Sequence, residues 1–156
     1  MKFSAQEDYG LRCLLQIARS GESTTIPEIS KIEGLSSTHV AKLLMILRKD
    51  GFITSTRGQA GGYVLARPAR EIIVGEVLAS LGGKLYDGDF CNRHSGQLAI
   101  CKHAVDCSVK SLWQLIQDAV DNVVDRLTLA ELLVTKETGV NVEFHLSRPG
   151  LQPLSK

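Results

Sequence analysis

The fold is decided by residues 36–66, which read SSTHVAKLLMILRKDGFITSTRGQAGGYVLA. In the first half of this stretch, apolar residues recur three or four positions apart, as on the buried face of a helix: Val40, Leu43, Leu44 and Leu47. Ser36 precedes this pattern, and its hydroxyl group favours the start of a helix. Two β-prone runs follow, Phe52–Thr56 and Tyr63–Ala66, and the glycines between them allow the chain to reverse. The stretch therefore predicts a helix followed by a β-hairpin.

The sequence before residue 36 predicts two further helices, each with its own start signal. Ser4 and Glu7 have the spacing of a capping box, and Thr25 and Glu28 repeat that spacing ahead of a shorter helix. Two helices joined by a short turn, the second with a polar and basic outer face, are typical of a helix-turn-helix. We therefore expect a winged helix-turn-helix domain over residues 1–81, in a fold that is mainly α with one small β-hairpin.

The rest of the chain divides into three segments after a run, Ile72–Leu81, that we expect to lead from a strand end into a helix. Residues 82–107 hold three of the four cysteines without a sustained periodicity, and we interpret them as a functional loop. Residues 108–135 fit one amphipathic helix of about six turns, with apolar positions at Val109, Leu112, Trp113, Ile116, Val120, Val123, Leu127 and Ala130. Such a stripe outside the compact domain favours pairing with a second copy, so we expect a homodimer. Residues 136–156 are expected to form a loosely ordered tail.

The charges are segregated along the chain, although the net charge is only +1. Between residues 36 and 70 six basic residues face one acidic residue, and between residues 113 and 131 four acidic residues face one basic residue. The first segment suits phosphate. The first ten residues contain no apolar run, and no stretch reaches the length of a membrane span, so we expect a cytoplasmic protein. No paired carboxylates, nucleophile–base pair or phosphate loop indicates catalysis, and we do not expect an enzyme.

The predicted helix-turn-helix and hairpin supply candidate residues for binding double-stranded DNA. Hydroxyl and N–H groups at the start of the third helix suit phosphate, and the side chains that follow suit the major groove. The hairpin tip suits insertion into a narrow minor groove, where arginine recognises negative potential. The alternative is an ordinary solvated helix face. The candidate DNA-binding residues are Ser36, Ser37, Thr38, His39, Lys42, Arg48, Arg57 and Gln59.

The order of these elements resembles the IscR/NsrR-type winged-helix regulators over residues 1–133. The resemblance depends on two motifs, the hairpin sequence RGQAGGYVLA at residues 57–66 and the opening DYGLR at residues 8–12. It implies a dimeric repressor that binds a pseudo-palindromic operator and responds to nitric oxide, redox state or iron–sulfur status. It also implies an iron–sulfur cluster, either 4Fe–4S or 2Fe–2S, whose cysteine ligands are Cys91, Cys101 and Cys107.

The cysteine spacing departs from one branch of this family. IscR-like members have three evenly spaced cysteines followed by a histidine, whereas here the gaps are nine and five residues and Lys110 occupies the histidine position. NsrR-like members complete three cysteines with a carboxylate from the first helix of the other subunit, and Asp8 matches that position. A carboxylate is a harder ligand than a thiolate, so such a cluster would be labile and open to attack by nitric oxide or oxygen.

The residues alone leave other interpretations of the cysteines open. By spacing, the three loop cysteines are also compatible with zinc, redox thiols or buried positions. A thiol–disulfide switch without metal is the main alternative, and an iron–sulfur electron carrier is a third, although a carrier has no need of a wing. We expect His94 and His103 to be solvated, and Cys13 to be a core residue of the first helix. Our mechanistic hypothesis is that cluster ligation fixes the angle between the two recognition helices of the dimer.

Overall fold

The computed structural model describes residues 4–58, 61–87, 89–93, 95 and 107–138. Its helices are α1 (Ala5–Ser20), α2 (Ile26–Glu33), α3 (Ser37–Lys49), α4 (Val74–Gly82), α5 (Phe90–Arg93), α6 (Ser108–Val124) and α7 (Leu129–Thr138). Its strands are β1 (Ile53–Thr56) and β2 (Gly62–Leu65), and a short 3₁₀ turn spans Ala69–Glu71. This order confirms a mainly helical winged helix-turn-helix fold.

The first two helices begin at the capping residues that the sequence predicts. The Ser4 hydroxyl accepts a hydrogen bond from the Glu7 N–H at 3.2 Å, and the Glu7 carboxylate accepts one from the Ser4 N–H at 2.7 Å. Thr25 and Glu28 form the same reciprocal pair at the start of α2. These bonds satisfy N–H groups that have no partner inside a helix, so both ends are fixed by local sequence.

The core forms where α1, α3 and α4 pack together, with α2 against α1 and α3. Its most buried members come from these four helices, from the hairpin and its neighbouring segments, and from the start of α7: Cys13, Leu14, Ile17, Ile29, Val40, Leu43, Leu44, Leu47, Phe52, Ile53, Ile72, Val77, Leu81 and Leu129. Gly10 permits a close approach of α1 and α4, because a Cβ atom there would lie 2.5 Å from a methyl carbon of Leu81. The apolar stripe of α3 faces this core, which leaves the opposite face of α3 at the surface.

The hairpin is antiparallel, with Ile53 paired to Leu65 and Thr56 to Gly62. Thr24 extends the sheet through an isolated bridge to Tyr63, with the Thr24 N–H donating to the Tyr63 carbonyl at 3.0 Å and the reverse bond at 2.9 Å. Gly62 is needed here because a Cβ atom would lie 2.7 Å from the Thr24 carbonyl oxygen. The β2 strand is therefore bonded, next to the hairpin loop, to the segment between α1 and α2.

The prediction of one six-turn helix after residue 108 is wrong, because α6 ends at Val124 and a separate α7 starts at Leu129. The Thr128 hydroxyl accepts the N–H of Glu131 at 3.3 Å, and the Glu131 carboxylate accepts the N–H of Thr128 at 2.7 Å, which is a new capping box. Backbone hydrogen bonds tie the segment between α6 and α7 to the start of α4. The Val74 N–H donates to the Leu127 carbonyl at 2.8 Å, and the Leu129 N–H donates to the Ile72 carbonyl at the same distance. Leu129 is fully buried, so the core includes a residue from well beyond the predicted domain boundary at residue 81.

The predicted cysteine loop contains one short helix, α5, in its described part. Gln59, His94, Cys101 and His103 lie outside the described residues, as does residue 139 and all that follows in the predicted tail. No helix in the described ranges has the length and apolar character needed to cross a membrane.

Candidate DNA interface and cysteine site

The amino terminus of α3 is capped as the sequence predicts. The Ser36 hydroxyl accepts a hydrogen bond from the His39 N–H at 3.2 Å, and the Ser37 hydroxyl lies 3.4 Å from that of Ser30 on α2. Ser36, Ser37 and Thr38 are all exposed. Their hydroxyls and the unpaired N–H groups of the first turn form the kind of helix start that binds phosphate.

His39 is less accessible than the sequence suggests. Its ring packs edge-on against Tyr9 of α1, with the ring centroids 5.6 Å apart and the planes at 87°. The half-buried imidazole therefore supports the orientation of α3 against α1 and presents only part of its edge at the surface. Lys42, one turn further along, is exposed, and Met45 beside it is 60% exposed.

The basic residues between positions 36 and 70 fall into two groups. Arg67 is bonded to Glu76 at 2.6 Å, and Arg70 lies 3.8 Å from Glu71. The remaining bases are exposed and, within the part of the chain that the structure describes, have no acidic partner: Lys42, Arg48, Lys49 and Arg57. The positive charge available to an anion is thus concentrated on α3 and the wing.

One of the loop cysteines, Cys91, lies beside a buried tyrosine. The Tyr86 hydroxyl lies 3.8 Å from the Cys91 sulfur. The pKa of Tyr86 is raised by burial, by the hydrogen bond with Cys91, and by the nearby charges of Cys91, Cys107 and Asp87. Cys91 and Cys107 are both free thiols and only partly buried. The structure therefore places one predicted ligand, Cys91, beside the Tyr86 hydroxyl, whereas another, Cys101, lies outside the described residues.

Local hydrogen bonds order the chain at both cysteines. Cys107 is the N-cap of α6, and its sulfur accepts the Lys110 N–H at 3.3 Å. Cys91 lies on α5, whose start is shaped by Asp87: the Asp89 N–H donates to the Asp87 carboxylate at 3.0 Å. Arg93 binds both oxygens of Asp87 at 2.9 and 2.8 Å, and this ion pair lowers the pKa of Asp87. Cys91 thus lies on a helical turn closed by an ion pair.

Asp8 is not brought to these cysteines within one chain. Its exposed carboxylate lies 3.6 Å from Arg12, whose other nitrogen binds the buried carboxylate of Glu33 at 2.7 Å. Among the described residues, no three His, Cys, Asp or Glu side chains are close enough to share a metal ion. A fourth ligand at Asp8 would have to come from another subunit.

Cys13 is confirmed as a core residue. Its side chain is fully buried, and burial, together with the charge of Glu33, raises the pKa of its thiol to about 11. At neutral pH it is therefore a protonated apolar side chain that does not compete for metal.

Sequence reasoning missed two residues of the cysteine site, Tyr86 and Gln117. Gln117 is buried and accepts the Tyr86 N–H at 2.9 Å. A signal for Gln117 was present, because an amide interrupts the apolar stripe directly after Ile116 and one turn before Val120. No comparable signal marks Tyr86, since a single tyrosine in an aperiodic loop predicts neither burial nor a partner.

Comparisons with known proteins agree with this architecture. The model of the Rrf2 family, described as iron-dependent transcriptional regulators, matches residues 3–135. The HTH-type transcriptional regulator IscR of Cronobacter sakazakii is 30% identical over 139 residues, which cover 88% of this chain and 83% of that protein. The solved structure of T. potens IscR superposes with a TM-score of 0.71 at 28% identity, covering 95% of this chain and 97% of its own. The oxidized form of Staphylococcus aureus CymR superposes with a TM-score of 0.64 at 32% identity, covering 85% of this chain and 96% of its own.

Proposed function

Because the chain belongs to the Rrf2 family of transcriptional regulators, we propose that it is a cytoplasmic homodimeric repressor whose affinity for its operator is set by an iron–sulfur cluster. The observation that supports the cluster is the presence of two free, partly exposed thiols: the Cys91 sulfur lies 3.8 Å from the Tyr86 hydroxyl, and Cys107 is the N-cap of α6. Nitric oxide, redox state and iron–sulfur status are the candidate signals.

DNA binding is the part of the function that the family establishes, and the interface we propose for it is α3 with the wing. The exposed start of α3 offers hydroxyl and N–H groups to phosphate, and Lys42 is free to reach the major groove. Arg57 precedes the wing loop and is exposed, which suits contact with the adjacent minor groove. Arg48 lies in the last turn of α3 and suits the phosphate backbone.

The dimer is proposed to form through α6. Several large apolar side chains on this helix are exposed: Val109 (55%), Leu112 (49%), Trp113 (41%), Leu115 (67%) and Val123 (36%). Apolar surface of this extent on one helix is stabilised by pairing with the same helix of a second copy. Such a dimer would present two α3 helices to the two halves of a pseudo-palindromic site.

The residues present fit a cluster. Thiolates are the soft ligands that iron–sulfur clusters require, and both described thiols already have hydrogen-bond partners, from Lys110 N–H and the Tyr86 hydroxyl, that suit a negatively charged sulfur. Cys101 would supply the third thiolate and Asp8 of the other subunit the fourth ligand. A bound cluster would hold these ligands together reversibly, because nitric oxide or oxygen can remove the cluster. Within the chain, Cys107 would link that ligation to the first turn of α6.

A thiol–disulfide switch without metal is the second candidate. Cys91 and Cys107 are free and accessible, and the CymR structure to which this chain is similar was solved in an oxidized form. In this mechanism an oxidant would take two electrons and two protons from two thiols as one S–S bond forms.

The test is an anaerobic absorption spectrum of the purified full chain with iron and sulfide assays, together with DNA binding before and after exposure to nitric oxide. We expect absorption from sulfide-to-iron charge transfer, bound sulfide, and loss of both in Cys91→Ala with the dimer intact. An iron-free protein after reconstitution, with oxidant-dependent DNA binding, would support the disulfide switch instead. Equal DNA affinity for the wild-type protein and Cys91→Ala in every state would contradict both mechanisms.

A further inference from the structure

Gln117 is an unusual residue for its position on α6. It is 7% exposed and is the buried residue of this helix, whereas the large apolar side chains around it are partly or fully exposed. Burying an amide is unfavourable unless both its carbonyl and its NH₂ group are hydrogen-bonded. Both are: Gln117 Oε1 accepts the Tyr86 N–H at 2.9 Å, and Gln117 Nε2 donates to Asp121 Oδ1 at 2.7 Å.

The bonds of Gln117 join α6 to the segment that leads to Cys91. Asp121 Oδ2 accepts a hydrogen bond from Lys84 Nζ at 2.8 Å, so the segment after α4 is bonded to α6 at residues 84 and 86. Tyr86 is itself buried, packs its ring against Phe90 at 5.3 Å between centroids, and places its hydroxyl 3.8 Å from the Cys91 sulfur. One short path of contacts therefore runs from Cys91 through Tyr86 to the middle of α6.

We propose that Gln117 is a positioning residue that couples the state of Cys91 to the position of α6. A change at the Cys91 sulfur acts on the Tyr86 hydroxyl and ring. Tyr86 is in turn held to α6, because its backbone N–H donates a hydrogen bond to the buried side-chain amide of Gln117. The bond cannot exchange freely with water, so movement of Tyr86 is passed to the helix. The inference rests on the proposed sensing function, because that function is what requires the cysteines to act on α6.

A merely structural role for Gln117 predicts a different result from a coupling role. If Gln117 only stabilises the fold, its loss changes the DNA affinity of every cysteine state by the same factor. If it couples Cys91 to α6, its loss reduces the ratio between the affinities of two cysteine states. The ratio is therefore the quantity to measure.

The experiment compares the full chain with Gln117→Leu and with Gln114→Leu, the same change at an exposed position of α6. Each protein is measured with and without reconstitution by iron and sulfide, on a DNA site selected from a random library by the wild-type protein. A ratio of about 5 to 150 between the two affinities is expected for the wild-type protein and Gln114→Leu. A ratio of about 1 is expected for Gln117→Leu, and an unreduced ratio would overturn the coupling.

A second readout needs no DNA and no metal. Trp113 is the only tryptophan of the chain and lies one turn before Gln117 on α6. In a Cys101→Ser, Cys107→Ser background, iodoacetamide modifies Cys91 while Cys13 remains buried. We expect this modification to shift Trp113 emission, and the shift to disappear when Gln117→Leu is added. An equal shift with and without Gln117 would refute the coupling even if the wild-type protein shows no response to a cluster.

If Gln117→Leu fails to fold, Asp121→Asn tests the same path. This variant keeps an acceptor for the Gln117 amide but loses the ion pair with Lys84. We expect it to retain the dimer and to lose part of the affinity ratio. A ratio equal to that of the wild-type protein would overturn the coupling, because the Gln117 amide is held by the Asp121 carboxylate.

Discussion

Removing one unpaired arginine from the wing should change the salt dependence of DNA binding by a predictable amount. Four bases on α3 and the wing are exposed without an acidic partner among the described residues: Lys42, Arg48, Lys49 and Arg57. If each contacts phosphate in both protomers, a dimer neutralises about eight phosphates, and the slope of log K against log salt concentration is about −7. Affinity should then fall by a factor of about 10⁴ between 50 and 200 mM salt.

Arg57→Ala removes two of these contacts per dimer, so its slope should be about −5. Arg70→Ala is the matched control, because Arg70 is 77% exposed in its side chain yet already lies beside Glu71. We expect the Arg70→Ala slope to equal that of the wild-type protein. Both variants are measured by fluorescence anisotropy at five or so salt concentrations on one selected DNA site. Equal slopes for Arg57→Ala and Arg70→Ala would refute the division of the bases into available and paired groups.

Three further outcomes follow from the fold and the core. Ser36→Ala should cost about 1 kcal/mol in urea unfolding because α3 loses its cap, and Thr38→Ala should cost less than half of that; equal costs would contradict the capping role. Cys13, with its pKa of about 11, should react with iodoacetamide at pH 8 about a hundredfold more slowly than free cysteine, because little of it is thiolate. Its reaction should become faster as pH rises towards 11. Rapid labelling at pH 8 would refute its burial. Gly10→Ala should destabilise the protein by about 1 kcal/mol net, because overpacking against Leu81 exceeds the gain in helix propensity; a higher melting temperature would disprove this.

Features with a local cause could be predicted from the sequence. The capping pairs Ser4–Glu7 and Thr25–Glu28 act within one helical turn, so the starts of α1 and α2 follow from spacing alone. The apolar stripe of α3 also predicted correctly which of its faces is buried. The wing followed from glycine placement, although its strands lie one residue away from the predicted limits.

Features with a tertiary cause were harder to predict. The break between α6 and α7 depends on backbone bonds to residues 72 and 74, more than fifty positions away. Thr128 and Glu131 carried a local signal for the new helix, but the continuous apolar stripe across it favoured one long helix. The pairing of Arg67 with Glu76 likewise depends on the folded chain, so a count of charges overstated the free positive charge.

The cysteine site could be predicted only in part. Cys91 and Cys107 were identified from the loop composition and the family resemblance, and the structure places Cys91 beside Tyr86 and Cys107 at the N-cap of α6. Tyr86 and Gln117 were not identified, because their role arises only when the loop packs against α6. The roles of Cys91, Cys101, Cys107 and Asp8 as ligands stay predictions.

Helix α6 is bonded to the rest of the described protein mainly towards its carboxyl end. The chain just beyond its carboxyl end is joined to the body of the protein by main-chain bonds between the segments 72–74 and 127–129. Gln117 and Asp121, past the middle of the helix, are bonded to residues 86 and 84. A helix of 17 residues is about 25 Å long. A tilt of about 5° around its fixed end therefore displaces the first turn by about 2 Å, the size of the helix shifts that accompany allosteric transitions. Cys107 is the N-cap at the opposite end of the helix, where such a tilt would produce the largest displacement of a surface that a second subunit would share.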